Sequence, residues 1–415
     1  MPKPVIRKRL VFHFVGYDPM LPESYHQRLI RELDRFKTTW AADATVSEPE
    51  PALDGDALAW RVGASGPNWR VETDHLLFRW NDVVAGANRR PDRERIPRAH
   101  LAFASFVLGG ALWGYLRTSW RYAGFFLYPY VLLGVFALVS LAAAGLIARS
   151  GWLGAWGIGI AAGLALFLAL LRWAAPRLSL PLMLDDWIFS YAYIRGEETH
   201  LGERLERTAR ALVEATRGDA DEILILGHSL GAVLAIDMLD RALRQDPDLG
   251  RRGPAVGLAT VGSSVLKIGL HRGASRFRTA VARVAAEPSL VWADYQALRD
   301  VMNFYRADPI AAMGLPPTGQ PIVRPVSLRK MLTPSAFRRM RHRFFRLHCQ
   351  FISGNDRRAP YDYFMLMLGP VPFERQALTP EGAALSIAAD GSLIGASDAE
   401  TEAATPIPLA RAAGR

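Results

Sequence analysis

The chain has 415 residues, half of them apolar and 22% charged, with a formal net charge of +10 and a single cysteine, Cys349. That length allows one large core plus an added element, since single cores stop growing near about 250 to 300 residues. One cysteine excludes an internal disulfide and a thiolate metal cluster, and the arginines are scattered without any nucleic-acid module signature, so no nucleic-acid partner is expected. The excess positive charge suits anionic lipid headgroups, and it equally suits an Arg- and Ala-rich base composition.

The basic first residues are not followed by a long apolar run ending in small residues, so no cleaved signal peptide is expected. Residues 9–15 (Arg-Leu-Val-Phe-His-Phe-Val) read as a buried strand closed by the turn residues Gly16, Tyr17, Asp18 and Pro19. Pro22 opens a helix whose Tyr25, Leu29, Leu33, Phe36 and Trp40 share one face. Residues 45–56, rich in Pro, Glu and Asp, read as a loop; 57–62 and 69–78 read as strands joined by a turn at 63–67.

The apolar residues concentrate between Leu101 and Trp173. Residues 123–148 and 152–171 carry no charge, and each is long enough to cross a hydrocarbon core of about 30 Å, so they are predicted to form a transmembrane helical hairpin. Residues 101–116 are shorter and lead to Arg117 and Arg121, which suits an interfacial segment. Strands on both sides of the insertion must join one sheet, so the number of crossings is even. Arg89, Arg90, Arg93, Arg95, Arg98, Arg117, Arg121, Arg172 and Arg177 flank the body, against Arg149 alone at the hairpin tip. By the positive-inside rule the body is expected on the cytoplasmic side of an inner membrane, with the lipid bilayer as a partner.

Beyond the insertion, a helix around Leu201–Val213, a strand at 222–226, a helix to about Leu243 and a strand at 256–261 alternate as a parallel sheet requires. The expected fold class is therefore α/β, a mostly parallel sheet flanked by helices and interrupted by a membrane-spanning hairpin. Its parts are residues 1–98 and 178–375 for the body, 99–177 for the insertion, and 376–415 for a disordered tail without a sustained period.

The most informative stretch is Gly227-His228-Ser229-Leu230-Gly231, preceded by an apolar strand and followed by a small-residue helix. A strand that reverses this sharply into a helix strains the serine backbone, and the two glycines remove side chains that would collide there. Here the chain resembles the α/β-hydrolase superfamily, in particular its lipase and esterase members, in which Gly-His-Ser-Leu-Gly is a frequent nucleophile elbow. The resemblance covers the body outside the insertion. It implies Ser229 as nucleophile, followed in chain order by an acid and a histidine.

Three histidines follow Ser229. His271 comes too early and His342 lies in a strongly basic run, which leaves His348 in Phe344-Phe-Arg-Leu-His-Cys-Gln-Phe-Ile, read as the last strand. The family places its histidine beyond that strand, so a buried structural His348 stays open as an alternative. Residues 301–310 read as a strand ending in Asp308-Pro309, which makes Asp308 the expected acid, with Asp300 and Asp294 as alternatives and a capping role open for each. The oxyanion hole is expected to use the backbone N–H of Leu230 and that of Tyr17, although Gly16 can equally serve only the turn. No metal or nucleotide motif is present in the sequence, so no cofactor is expected.

The resulting expectation is a membrane-anchored serine hydrolase that cleaves a lipid or other hydrophobic acyl ester. Peptidase, thioesterase and depalmitoylase chemistry suit the same residues. An inactive hydrolase-like membrane scaffold is the competing reading, and a channel is disfavoured by uncharged spans.

Overall fold

The computed structural model describes residues 5–152 and 154–395. They form a nine-stranded sheet from β1 (Lys8–Phe14), β2 (Asp43–Val46), β3 (Glu50–Ala52), β4 (Ala57–Gly66), β5 (Trp69–Phe78), β6 (Glu222–His228), β7 (Ala255–Val261), β8 (Leu290–Ala297) and β9 (Ile322–Val326). The order is β2-β4-β5-β1-β6-β7-β8-β9, with β3 also paired to β4. From β5 through β9 every pairing is parallel, and the β2, β3 and β4 pairings are antiparallel. The chain is mixed α/β with a mostly parallel sheet.

β6 sits at the centre with all seven residues buried, which explains its unbroken apolar run, since a parallel strand covered on both faces has no polar side to show. The chain builds β5 on one side of β1 and later β6 on the other. The carboxyl ends of β1 and β6 therefore flank a switch point of the strand order, where a crevice opens in doubly wound sheets. At the opposite ends of these strands, Arg9 is fully buried and pairs with Glu222 at 2.7 Å. Its remaining donors reach the Met367, Gly369 and Val371 carbonyls, and Glu222 accepts the Phe373 N–H. This satisfied ion pair ties the C-terminal segment to β1 and β6.

Two compact units are present. The sheet unit comprises the chain up to Asn81, Thr199–Gly269 and the residues from Ser275 onward; the other comprises Asp82–Glu198 and Leu270–Ala274. In the second unit, Trp120–Ala148 and Ala155–Arg177 are long and apolar enough to cross a membrane, and only 22% and 17% of their apolar windows are buried within the protein. Gly159 and Gly163 let these helices touch: a Cβ at Gly159 would stand 2.6 Å from the Ala144 carbonyl, and one at Gly163 would stand 2.9 Å from the Ser140 carbonyl. Close backbone approach through small residues is how helices associate where water cannot drive them together. Rings from Phe103, Phe106, Tyr115, Phe126, Tyr130 and Trp187 form a continuous cluster in this unit, and Asp185 is held there by Arg95 and Arg90.

Several elements differ from the sequence reading. The 45–56 loop contains edge strands β2 and β3, and Pro51 is tolerated because β3 borders no further strand on its other side. Residues 101–116 belong to two helices, Asp92–Leu108 and Ala111–Thr118, bent by 64° about Gly109 and Gly110. Residues 301–308 are turns, because Asp300 and Asn303 bond the local backbone and draw it out of an extended path. The last parallel strand is β9. Residues 344–352 form the helix Phe344–His348 and the 3-10 turn Cys349–Ile352. Leu347, His348, Phe351 and Ile352 are buried there, a helical spacing that a short apolar run conceals. The expected tail from Gln376 is packed as far as Leu393: Trp69 donates to the Gly391 carbonyl, Arg358 to those of Ile387 and Ala388, and Asn68 to that of Leu393. Its small residues lack a period, but their peptide groups satisfy buried donors. The expected tail beyond Gly395 lies outside the described residues.

Candidate active site

β6 ends at His228 and the helix Gly231–Gln245 starts almost at once. Ser229 takes up the reversal with φ of 55°, a left-handed conformation that serine rarely adopts. Both of its backbone groups are satisfied there: its N–H donates to the Val261 carbonyl at 3.1 Å, and its carbonyl accepts the Ser264 N–H at 3.0 Å. The glycines have the steric role that the motif requires. A Cβ at Gly231 would stand 2.2 Å from the Phe14 carbonyl oxygen, and one at Gly227 would stand 2.5 Å from Ala232 Cα. Any larger residue at either position forces the strand and helix apart.

Gly16, just after β1, lies directly against the serine, since a Cβ there would stand 2.9 Å from Ser229 Cβ and 3.4 Å from its Oγ. The loop carrying Gly16 and Tyr17 is thus packed on the elbow across the switch point. Trp80 buttresses it, with Nε1 donating to the Val15 carbonyl and its ring edge-on to Tyr17 at 5.8 Å. Leu230 follows Ser229 and precedes the helix.

His348 is 3% exposed. Its Nδ1 faces Asp300 Oδ2 at 2.7 Å, and its Nε2 is buried without a hydrogen-bond partner. With Nδ1 held by a carboxylate, the neutral ring carries its proton there and presents Nε2 as an acceptor. The ring lies over the end of β7. A Cβ at Gly262 would stand 3.0 Å from His348 Cε1, and Gly262 directly follows Val261, whose carbonyl receives the Ser229 N–H. The His228 ring lies against that of His348, tilted by 37° with 4.5 Å between ring centroids. Burial, then the neighbouring His348 charge, lowers the His228 pKa well below the usual range, so it stays neutral and adds no charge against a protonated His348.

The first helix, Pro22–Trp40, fixes the segment that carries His348. Arg28 donates to the Cys349 carbonyl and to Ser353 Oγ, Glu32 accepts the Gly354 N–H, and Thr39 donates to the Asn355 carbonyl. Asp300 is fixed separately. Its Oδ1 accepts the Met302 N–H at 2.9 Å, while the Asn303 amide donates to the Ala297 and Asp300 carbonyls and its Oδ1 accepts the Ala297 N–H. Asn303 clamps the turn on which the carboxylate stands.

The structure therefore brings Asp300, not Asp308, to His348. The Asp308 carboxylate caps the short helix Pro309–Ala312, accepting the N–H groups of Ile310 and Ala311 at 2.8 and 3.3 Å. The reading that favoured Asp308 relied on a strand at 301–308. Without that strand, Asp300 is simply the residue that turns out of β8 at its carboxyl end. Asp294 lies within β8 and accepts hydrogen bonds from Thr260 and Gln296, both at 2.6 Å; burial pushes its pKa up to about 6. His271 belongs to the second unit, beside Ser105, and His342 is on an exposed turn. The sequence reading missed Asn303 and Gly262. The Asp-x-x-Asn spacing after a strand was the visible sign of the first, and a glycine ending a strand was that of the second. Among the described residues no group of three or more His, Cys, Asp or Glu side chains converges to hold a metal.

This geometry separates the two acids by experiment. If the pair orients the imidazole, Asp300→Asn is expected to lower kcat for ester hydrolysis by about 10³ to 10⁴, the scale seen when a triad acid can no longer fix the histidine tautomer. Asp308→Asn removes no charge from His348 and keeps a good capping side chain; it is expected to change kcat less than about threefold and to leave stability nearly unchanged. Steady-state kinetics and thermal melting of both variants check this, and equal kcat losses contradict it.

In comparisons with known proteins, no family model matches this chain, and neither a curated protein nor a solved structure does.

Proposed function

We propose that the protein is a membrane-anchored serine hydrolase of the α/β-hydrolase type that cleaves acyl esters through Ser229, His348 and Asp300. The observation that carries this reading is that a serine in left-handed backbone at the end of the central strand and a buried histidine, with Nδ1 held by a carboxylate and Nε2 unpartnered, both lie at the end of β7 around Val261 and Gly262. An orphaned buried polar atom costs roughly 1–3 kcal/mol; His13 Nε2 and His75 Nδ1 are unpartnered too, so what favours His348 is that its orphan comes together with the Asp300 contact and a place over the end of β7. His348 lies against Gly262 and His228, the neighbours of the elbow, and no hydrogen bond joins its Nε2 to Ser229 Oγ; an unspent acceptor on this side of the elbow is what proton removal from a nucleophile needs.

The mechanism follows from those roles. Ser229 Oγ attacks the acyl carbonyl as His348 Nε2 takes its proton, and Asp300 stabilises the imidazolium that forms. The Leu230 and Tyr17 backbone N–H groups receive the developing oxyanion, a role consistent with the packing of the Gly16 loop on Ser229. His348 then protonates the leaving alcohol, and water, activated by the same imidazole, cleaves the acyl enzyme. A catalytic unit tethered to a bilayer meets lipid-borne esters at raised local concentration, which favours a hydrophobic acyl ester as substrate. Purified full-length chain is expected to hydrolyse p-nitrophenyl esters, with kcat/KM rising from acetate to octanoate and falling to background in Ser229→Ala. Hydrolysis that survives the substitution refutes the assignment.

The sheet takes β5 from before the insertion and β6 from after it, so an even number of crossings returns the chain to one side. Two spans satisfy that, and the arginines around the insertion favour the cytoplasmic face of an inner membrane for the sheet unit. With Cys349 replaced by serine, a membrane-impermeant maleimide is expected to label Ser150→Cys in intact cells and Glu214→Cys only after permeabilisation. Labelling of Glu214→Cys in intact cells reverses the orientation.

A further inference from the structure

A second concavity stands on the β8–β9 side of the sheet. It is a cleft of about 110 Å³ whose lining includes Tyr295, Arg324, Ser327, Lys330 and Tyr361. Tyr295 and Arg324 are direct partners across the two strands, so their side chains leave the sheet on the same face. Lys330 reaches the cleft from the short helical turn after β9.

Three properties of the cleft fit an anion. No carboxylate lines it. Among the described residues neither Arg324 nor Lys330 has an ion-pair partner, and the Arg324 side chain donates only to the Thr379 carbonyl. Tyr295 lines the cleft, and its hydroxyl is not among the buried polar atoms left unpartnered, so it stays open to water or a ligand. Burial raises the Tyr295 pKa, and the Arg324 charge opposes that rise. A hydroxyl open to the cleft and two cations without a carboxylate partner can all contribute to holding a bound anion.

The cleft is separate from the reacting centre. Tyr361 packs on Tyr295 with 4.8 Å between centroids and donates to the Phe351 carbonyl, and the Phe351 ring stands between this wall and His348.

We propose that this cleft is a binding site for a phosphoryl oxyanion, held by the Arg324 guanidinium, the Lys330 ammonium and the Tyr295 hydroxyl. Two cations and a neutral donor arranged around one cavity match the charge and the several acceptors of a tetrahedral dianion better than those of a planar carboxylate. The same chemistry is offered by free phosphate and by a lipid phosphomonoester, and the experiment separates the two.

Full-length protein in phosphatidylcholine nanodiscs is titrated with inorganic phosphate by calorimetry. In a second arm, the thermal midpoint is compared between these discs and discs carrying phosphatidic acid. Saturable phosphate binding, weakened about tenfold or more in Arg324→Gln and about threefold or more in Lys330→Gln, supports a site for the free anion. A stabilisation by phosphatidic acid that both substitutions abolish, without binding of free phosphate, supports the same site with a lipid headgroup in it. Lys330 is exposed, so its variant folds even if Arg324→Gln does not. No response in either arm, or responses unchanged in both variants, overturns the proposal. Neither readout requires turnover, so the result is independent of the activity assigned to Ser229.

Discussion

The arrangement of this protein depends on one tight reversal of the chain, at Ser229, between a fully buried strand and the helix packed on it. Holding a serine in left-handed backbone costs about 1–3 kcal/mol, and the surrounding structure offsets that cost by satisfying both Ser229 backbone groups and by removing every competing side chain. Gly227, Gly231 and Gly16 supply that space from three different directions. The strain is therefore over-determined by the core and not borne by the loop alone, which is the condition under which such strain persists at reactive centres.

The His348–Asp300 pair is set up by equally local means. His348 is carried on a short helix that the first helix of the chain pins through Arg28, Glu32 and Thr39, and Asp300 stands on a turn that Asn303 closes. Neither group depends on the other for its position, so the short hydrogen bond between them reflects two independently built scaffolds meeting beyond the carboxyl ends of the strands. This explains how an imidazole can be buried with one nitrogen unspent: the backbone around it is held by other bonds.

Much of this was legible in the sequence because it rests on local patterns. The unbroken apolar run of β6, the glycine spacing around Ser229 and the charge-free stretches of the hairpin each have a direct steric or solvation cause, and the structure places the corresponding strand, reversal and apolar helices where those patterns put them. What misled the reading was periodicity in short segments. The residues from Val301 to Asp308 have a strand-like composition, but Asp300 and Asn303 compete for their backbone and fold it into turns, so the carboxylate that meets His348 stands at the other end of the segment from Asp308. Phe344–Ile352 is too short for an apolar run to distinguish helix from strand. The packed residues between Gln376 and Leu393 escaped notice because their contribution is made by peptide carbonyls, which carry no sequence signature at all.

The central claim is that this bend and the Asp300–His348 pair make one hydroxyl unusually nucleophilic. Mass spectrometry of the folded full-length chain after brief exposure to a fluorophosphonate tests that claim most directly. The account predicts a single phosphonyl adduct, on Ser229, formed at least about a hundredfold more slowly in His348→Ala. A folded protein that stays unmodified, or that carries the adduct on another residue, contradicts it.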